Sequence, residues 1–527
     1  MSLPLIKMEP QQQLNASFLT KLLLSICLLS LSLSAGAQTD KRDYIWLFGH
    51  NSGFGEGMEA FTFDFNQGST PKSIQGVPPI AFIGNNASIC DKDGNLLYYT
   101  NGCHIVGADH QILPNSSGLN PGEFITQFRE DTCTFYSGLQ DLLFINDPAE
   151  EGNVYLIHKT IGVDGNSLYM DNLKYSYIDN SLNNGKGDVT IKNKDILEVG
   201  TRLLFSNLTA LQKTNGKLGW WILTLDEKDK IHIVDVSVDG IKLSYSLETN
   251  TEFVANSSGS GIAKFSPNGN SYAFYNPYDD LHIYEFDRTT GELSNKRYML
   301  LEEFPDNLAR FSSLEWSPDS RFIYIALERE LWQVDTWESD LRAGLELIDT
   351  WNGASDPFQT TFSVMNLAPD CKIYMSSHSG TNTYHVINNP DAKGQDCDFV
   401  QQGIRLPHVS ATASMPNFPR YRVDEEDKCD PTITSIFGDD IYWRRDLVAY
   451  PNPMVDQLTV ELPDGEKGRL YVFDSAGQLL WQSKETYIGS EVQLDMSGYA
   501  TGTYSVEFVP EENKERQLWT SWVVKVD

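Results

Sequence analysis

Short hydrophobic runs broken by polar turn residues fill the chain, and residues 262–294 show the pattern most completely. The runs 262–265, 272–275 and 281–286 mix aromatic and aliphatic side chains with polar ones, as half-buried strands do. Pro267-Asn268-Gly269 separates the first two, and Thr290-Gly291 follows the third. Proline presets φ for a turn and glycine accepts φ > 0, so both read as hairpin connections. The unit recurs as Ser317-Pro318-Asp319-Ser320 and Ala368-Pro369-Asp370-Cys371, with the prolines 51 residues apart each time. The flanks match too: Lys264-Phe265-Ser266 against Glu315-Trp316-Ser317. A constant period filled with short strands predicts β-propeller blades.

Three earlier turns continue the series: Asp91-Lys92-Asp93-Gly94-Asn95, the stretch 147–153, and Thr214-Asn215-Gly216-Lys217. Successive spacings are 56, 67, 53, 51 and 51 residues, so the first two blades are expected to carry extended loops. Closing the ring calls for a seventh blade, with six and eight as the neighbouring counts. Its strands are expected from both ends of the repeat region, 44–48 and 60–65 together with 418–422. Such pairing removes open sheet edges. The expected fold is all-β: an approximately seven-bladed propeller over residues 38–422.

The pattern changes outside that region. Residues 1–37 combine Lys21, a leucine-rich run and Ala35-Gly36-Ala37, the layout of an export signal with cleavage after Ala37 and Ala35 at the other small position. Cys27 lies inside the apolar run after Ile26, which disfavours a lipid anchor. No later transmembrane helix is expected. Residues 423–446 carry Asp424-Glu425-Glu426-Asp427 and read as an acidic, solvated linker. From 447 to 527, short alternating strands predict a small Ig-like β-sandwich.

The net charge of −32 argues against nucleic acid as a partner. Six cysteines follow the leader, an even number that permits disulfides in an exported chain. Cys371 with Cys397, within one blade, is the expected pair.

Several stretches resemble known families. Trp46-Leu47-Phe48-Gly49, the run Asp93 to Gly102, Lys264-Phe265-Ser266-Pro267, Pro369-Asp370-Cys371-Lys372 and Met415-Pro416-Asn417-Phe418 resemble a secreted, WD40-like propeller family of gliding and environmental Bacteroidota. The chain departs from it at Gly53-Phe54-Gly55-Glu56, and at Cys371, where a turn glycine is usual. That family supplies no catalytic residues. Tyr450-Pro451-Asn452-Pro453, Val472-Phe473-Asp474 with Gly477, Gly502-Thr503-Tyr504 and Val524-Lys525-Val526 closely resemble the type A sorting domain of the type IX secretion system. The resemblance implies export through the periplasm, recognition by the type IX machinery, and an extracellular or outer-surface location. Pro451, Asn452, Pro453, Gly477, Gly502 and Lys525 are its expected determinants.

Catalytic motifs are not found. There is no His-Glu-x-x-His, and Ser257-Ser258-Gly259-Ser260-Gly261 lacks the offsets of a nucleophile elbow. Asp91, Asp93 and Asn95 form a calcium candidate, set against a plain hairpin turn; no other cofactor is expected. The tryptophans fit interblade cores better than sugar platforms. The expected function is binding or adhesion towards a glycan or protein. The alternative is a hydrolase or lyase acting on extracellular polysaccharide or peptide.

Overall fold

A computed structural model describes residues 40–49, 60–73, 80–128, 136, 138–165, 167–214, 218–249, 261–277, 280–301, 312–410, 414–423, 429, 433, 443–474, 479–483, 486–510 and 517–526. The export signal, with Ala35 and Ala37, lies outside them, as does Gly477. Among the described residues no helix is long and apolar enough to cross a membrane.

Seven antiparallel sheets follow one another along the chain. Blade 1 holds Ile45–Phe48, Phe61–Asp64 and Lys72–Ser73; blade 2 holds Ala87–Cys90, Leu96–Thr100 and Ile105–Gly107. Blade 3 runs from Leu142–Asn146 to Asp188–Asp195, blade 4 from Thr209–Gln212 to Gly240–Glu248, and blade 5 from Ile262–Phe265 to Glu292–Met299. Blade 6 runs from Ser312–Trp316 to Leu345–Thr350, and blade 7 from Phe362–Leu367 to Phe399–Arg405. The extra length of blade 3 goes into its long central hairpin, Val154–Asp164 with Ser167–Asp179, rather than into loops.

A separate apolar cluster seals each pair of neighbours. Blades 2 and 3 share Ile89, Tyr98, Leu142 and Phe144; blades 5 and 6 share Tyr275, Leu281, Trp316 and Ile325. The ring closes where Trp46, Phe48 and Phe63 of blade 1 meet Tyr374, Tyr384 and Val386 of blade 7. Trp46 meets Tyr374 edge-on at 6.1 Å and Phe63 stacks on Tyr384 at 6.4 Å, geometries that suit ring quadrupoles.

The repeated turns share one geometry. Gly269, Ser320 and Cys371 each donate their N–H to the carbonyl three residues back, and each has a left-handed φ, between 65° and 72°. Each turn is type I-like, with proline first and a left-handed residue third; the closing bond encloses three residues in blade 7 (Ala368 to Lys372) and four in blades 5 and 6 (Ser266 to Ser271, Ser317 to Phe322).

Three expectations need correction. Residues 418–422 do not join the sheet of blade 1, which among the described residues has three strands only. They lie on the propeller axis instead. Cys371 is bonded to Cys429, not to Cys397, which is a buried free thiol. Cys397 sits beside the Tyr324 hydroxyl and is pushed up to about 11 by burial. The linker is also not wholly solvated: Val423 and Cys429 are buried, and Trp443–Asp446 pairs in parallel with the final strand.

The C-terminal module wraps a sandwich core of Leu458, Val460, Leu470, Val506, Phe508 and Val523. Not all of its strands are short: Gln457–Asp474 runs as one continuous strand. Its first part pairs with Tyr487–Asp495 and its last part with Gly502–Pro510, with an irregularity between Leu462 and Lys467.

Candidate functional site

Residues 414–423 thread the axis and touch six blades and the connection between blades 1 and 2. Asn417 donates its N–H to the Asn86 carbonyl of the blade 1–2 connection (2.8 Å) and its carboxamide to the carbonyls of Leu142 (3.0 Å) and Leu208 (2.9 Å). Arg420 donates its N–H to Ala210 (3.0 Å), its Nε to Phe265 (2.9 Å) and an Nη to the Glu315 carboxylate. The Pro416 carbonyl accepts from Asn366. Arg422 forks onto Asp43 beside blade 1, and Tyr421 meets Trp220 edge-on at 5.5 Å. The bridge between Arg420 and Leu211 is parallel, so the segment runs in the direction of the inner strands.

These contacts leave little space. The axial cavity, lined by Lys264, Glu315, Asn366, Phe418 and Arg420 among others, measures about 40 Å³, room for a few water molecules at most. Its charges are paired. Glu315 accepts from Arg420 and from the N–H groups of Trp316 (2.8 Å) and Leu367 (3.1 Å). Burial raises its pKa, but Arg420 and Lys264 outweigh burial and hold it below the usual carboxylate range. Lys264 donates to Asn366 at 2.7 Å; burial brings it down to about 8, Glu315 opposing.

On the side of blade 4, three residues form an acid–base chain. His232 Nδ1 lies 2.8 Å from Ser246 Oγ, and His232 Nε2 lies 3.1 Å from Asp226 Oδ2. Hydroxyl, imidazole and carboxylate stand in nucleophile, base and orienter order. His232 and Ser246 are direct cross-strand partners, so the pairing follows from register. A second chain, Ser176–His158–Asn120, has distances of 3.0 and 2.6 Å and is fully buried.

The calcium candidates sit in a tight hairpin. Asp91 Oδ1 accepts from the N–H of Asp93 and of Asn95, each at 2.9 Å, and Oδ2 accepts from the Asn95 carboxamide. Asn95 thus turns a donor, not its oxygen, toward the carboxylate. Both Asp91 oxygens serve the turn.

In the C-terminal module the predicted determinants come together around the last strand, Gln517–Lys525. The Asn452 carboxamide donates to Trp522 O and accepts from Val524 N–H, both at 2.9 Å. Lys525 is only 7 % exposed; its ammonium donates to Val455 O at 2.7 Å and lies 3.4 Å from Asp456. Gly502 pairs with Lys525 across the strands. Lys525 therefore ties the module internally, while Pro451 and Pro453 are exposed. Trp522, Val524 and Val526 stand outward in a row, with Trp522 53 % exposed.

Sequence reading missed the axial set of Asn417, Arg420, Glu315 and Lys264. The available signal was a charged residue beside an aromatic one in each of two matching inner strands, Ile262–Phe265 and Ser312–Trp316.

No curated protein matches the chain. Among solved structures it is similar to a 6-phosphogluconolactonase candidate from Bacteroides uniformis (12 % identity, 69 % of this chain and 97 % of that one, TM-score 0.36). It is also similar to a periplasmic gluconolactonase from Pseudomonas aeruginosa (9 %, 71 % and 98 %, 0.36). A third is PorZ, a surface component of the type IX secretion system of Porphyromonas gingivalis (10 %, 89 % and 79 %, 0.21). At these TM-scores the likeness says nothing of activity, and the propeller stands on the chain's own strand order. Residues 448–523 match the family model of the secretion system C-terminal sorting domain, the Por secretion tail. The chain is thus a β-propeller protein with a type IX sorting tail, which marks it for export and for attachment at, or release from, the cell surface.

Proposed function

We propose that the propeller is the cargo's working part, a binding or adhesion module that engages a glycan or protein through its rim. The supporting observation is the filled axis. A ligand there would have to displace residues 414–423, so engagement falls to the faces. Phe358 shows what a face offers. It is 54 % exposed in the link between blades 6 and 7, where Asp356 N–H donates to its carbonyl at 2.8 Å. Asp356 is in turn paired with Arg405 and accepts from Asn382. A rigid aromatic beside paired charges suits a sugar ring or a protein side chain.

Glycan and polysaccharide arrays with the purified, exported chain test this reading, scored for retention and for released product. Retention that falls at least ten-fold in Phe358→Ala is the expected result. No retention on glycans or on surface proteins overturns it.

The hydrolase reading has one observation of its own, the Ser246–His232–Asp226 chain with Ser246 partly exposed. Covalent labelling by a fluorophosphonate, lost in both Ser246→Ala and His232→Ala, would replace binding by hydrolysis. Absence of labelling removes that reading.

A further inference from the structure

Residues 414–423 occupy the axis as a docked peptide does, not as a strand. Pro416 and Pro419 have no N–H to give; Asn417 and Arg420 donate theirs to the carbonyls of Asn86 and Ala210, and the Arg420 carbonyl accepts from Gln212. Side chains add the Asn417 carboxamide, the Arg420 guanidinium and the Arg422 fork. None of the blade sheets includes the segment.

Immediately beyond it, Cys429 is bonded to Cys371, 58 residues away in sequence. Cys371 holds the left-handed position of the blade 7 inner turn, with φ 66°. In the matching turns of blades 2, 3 and 5 that position is glycine, at Gly94, Gly152 and Gly269, and in blade 6 it is Ser320. Any side chain with a Cβ is disfavoured there, so the turn itself gains nothing from cysteine. The bond to Cys429 accounts for it. Cys371 is half-buried and within reach of a small reductant.

We propose that the axis is a peptide site filled in cis by residues 414–423, and that Cys371–Cys429 is its latch, so that a dithiol opens the axis. The dithiol supplies two electrons and two protons. The Sγ–Sγ bond breaks, two thiols form, and the reductant becomes its own disulfide. The plug is then held by non-covalent contacts only. This stands apart from the rim-binding reading, since it concerns the axis alone.

Hydrogen exchange of the full exported chain, read by mass spectrometry with and without dithiothreitol, tests it. Cys103 is also disulfide-bonded, so the variant Cys371→Gly/Cys429→Ser removes the latch alone and gives the turn its glycine. At least ten-fold faster exchange across 417–423, in the reduced protein and in the variant, with the strand Leu142–Asn146 unchanged, is expected. Unchanged plug exchange in the variant overturns the latch. A uniform rise throughout the propeller also overturns it, because the disulfide would then be a general brace.

Discussion

Arg420 and Glu315 meet at the centre of the propeller, where the guanidinium from the threading segment reaches a carboxylate buried in the inner strand of blade 6. Removing Arg420 leaves the Glu315 carboxylate with Lys264 as its remaining counter-charge in a poorly solvated place. Arg420→Ala is expected to destabilise the propeller by about 3–5 kcal/mol. Adding Glu315→Gln to that variant is expected to recover part of the loss. Urea unfolding of the single and double variants gives the comparison; equal loss in both would mean that the plug's packing, not its charge, is what matters.

Acid weakens the fold through two histidines. Burial pushes His158 and His385 down to about 3, each from an ordinary value near 6.5. Both stay neutral in the folded chain, whereas the unfolded chain binds protons below about pH 6.5. Each should therefore remove about 1.4 kcal/mol of stability per pH unit between about pH 6.5 and 3. Asp370 acts oppositely. Burial raises it to about 6, so its contribution is greatest at low pH and is lost as pH rises through 6. His158→Gln should flatten the acid limb by about one histidine's share. An unaltered slope in denaturation midpoints across that range would refute the assignment.

Asn452 fastens the start of the sorting module to its last strand by one donated and one accepted bond. Asn452→Asp keeps the acceptor and sets a negative charge against the Trp522 carbonyl. A lower melting temperature for the module, by about 1–3 kcal/mol of lost stability, and a smaller secreted fraction are expected. Asn452→Ala should fall between this variant and wild type. Full secretion of the aspartate variant would separate the clamp from sorting.

Deleting residues 447–527 keeps the propeller, the plug and Cys429. The truncated chain is expected to fold and to collect in the periplasm. Immunoblots of periplasm, surface and medium decide the matter, and efficient appearance in the medium would show that another part of the chain directs export.

The repeats were legible because their turns need particular backbones: Pro267, Pro318 and Pro369 mark positions that any aligned reading finds. The interblade cores followed from the same runs. Cys371 was visible as a departure from the turn pattern, but its partner was not, since sequence distance does not rank cysteine pairs and Cys429 lies beyond the repeats. The plug was hidden for a related reason. Residues 418–422 have the composition of an edge strand, and only the buried acceptors at Leu142, Leu208 and Phe265 distinguish a channel lining from a sheet edge. The Ser246–His232–Asp226 chain arises from cross-strand register, which no local motif encodes.

The exit of the chain from the axis bears on mechanical load. A surface protein held by its C-terminal end feels drag as tension along residues 430–447. That tension reaches Cys429 before it reaches Val423, and the disulfide passes it to the inner turn of blade 7. A covalent bond takes the pull, while the hydrogen bonds of Arg420 and Asn417 remain unloaded. Anchorage and the axial plug are thereby mechanically decoupled, so a tethered propeller can be pulled without residues 414–423 being drawn out of its axis.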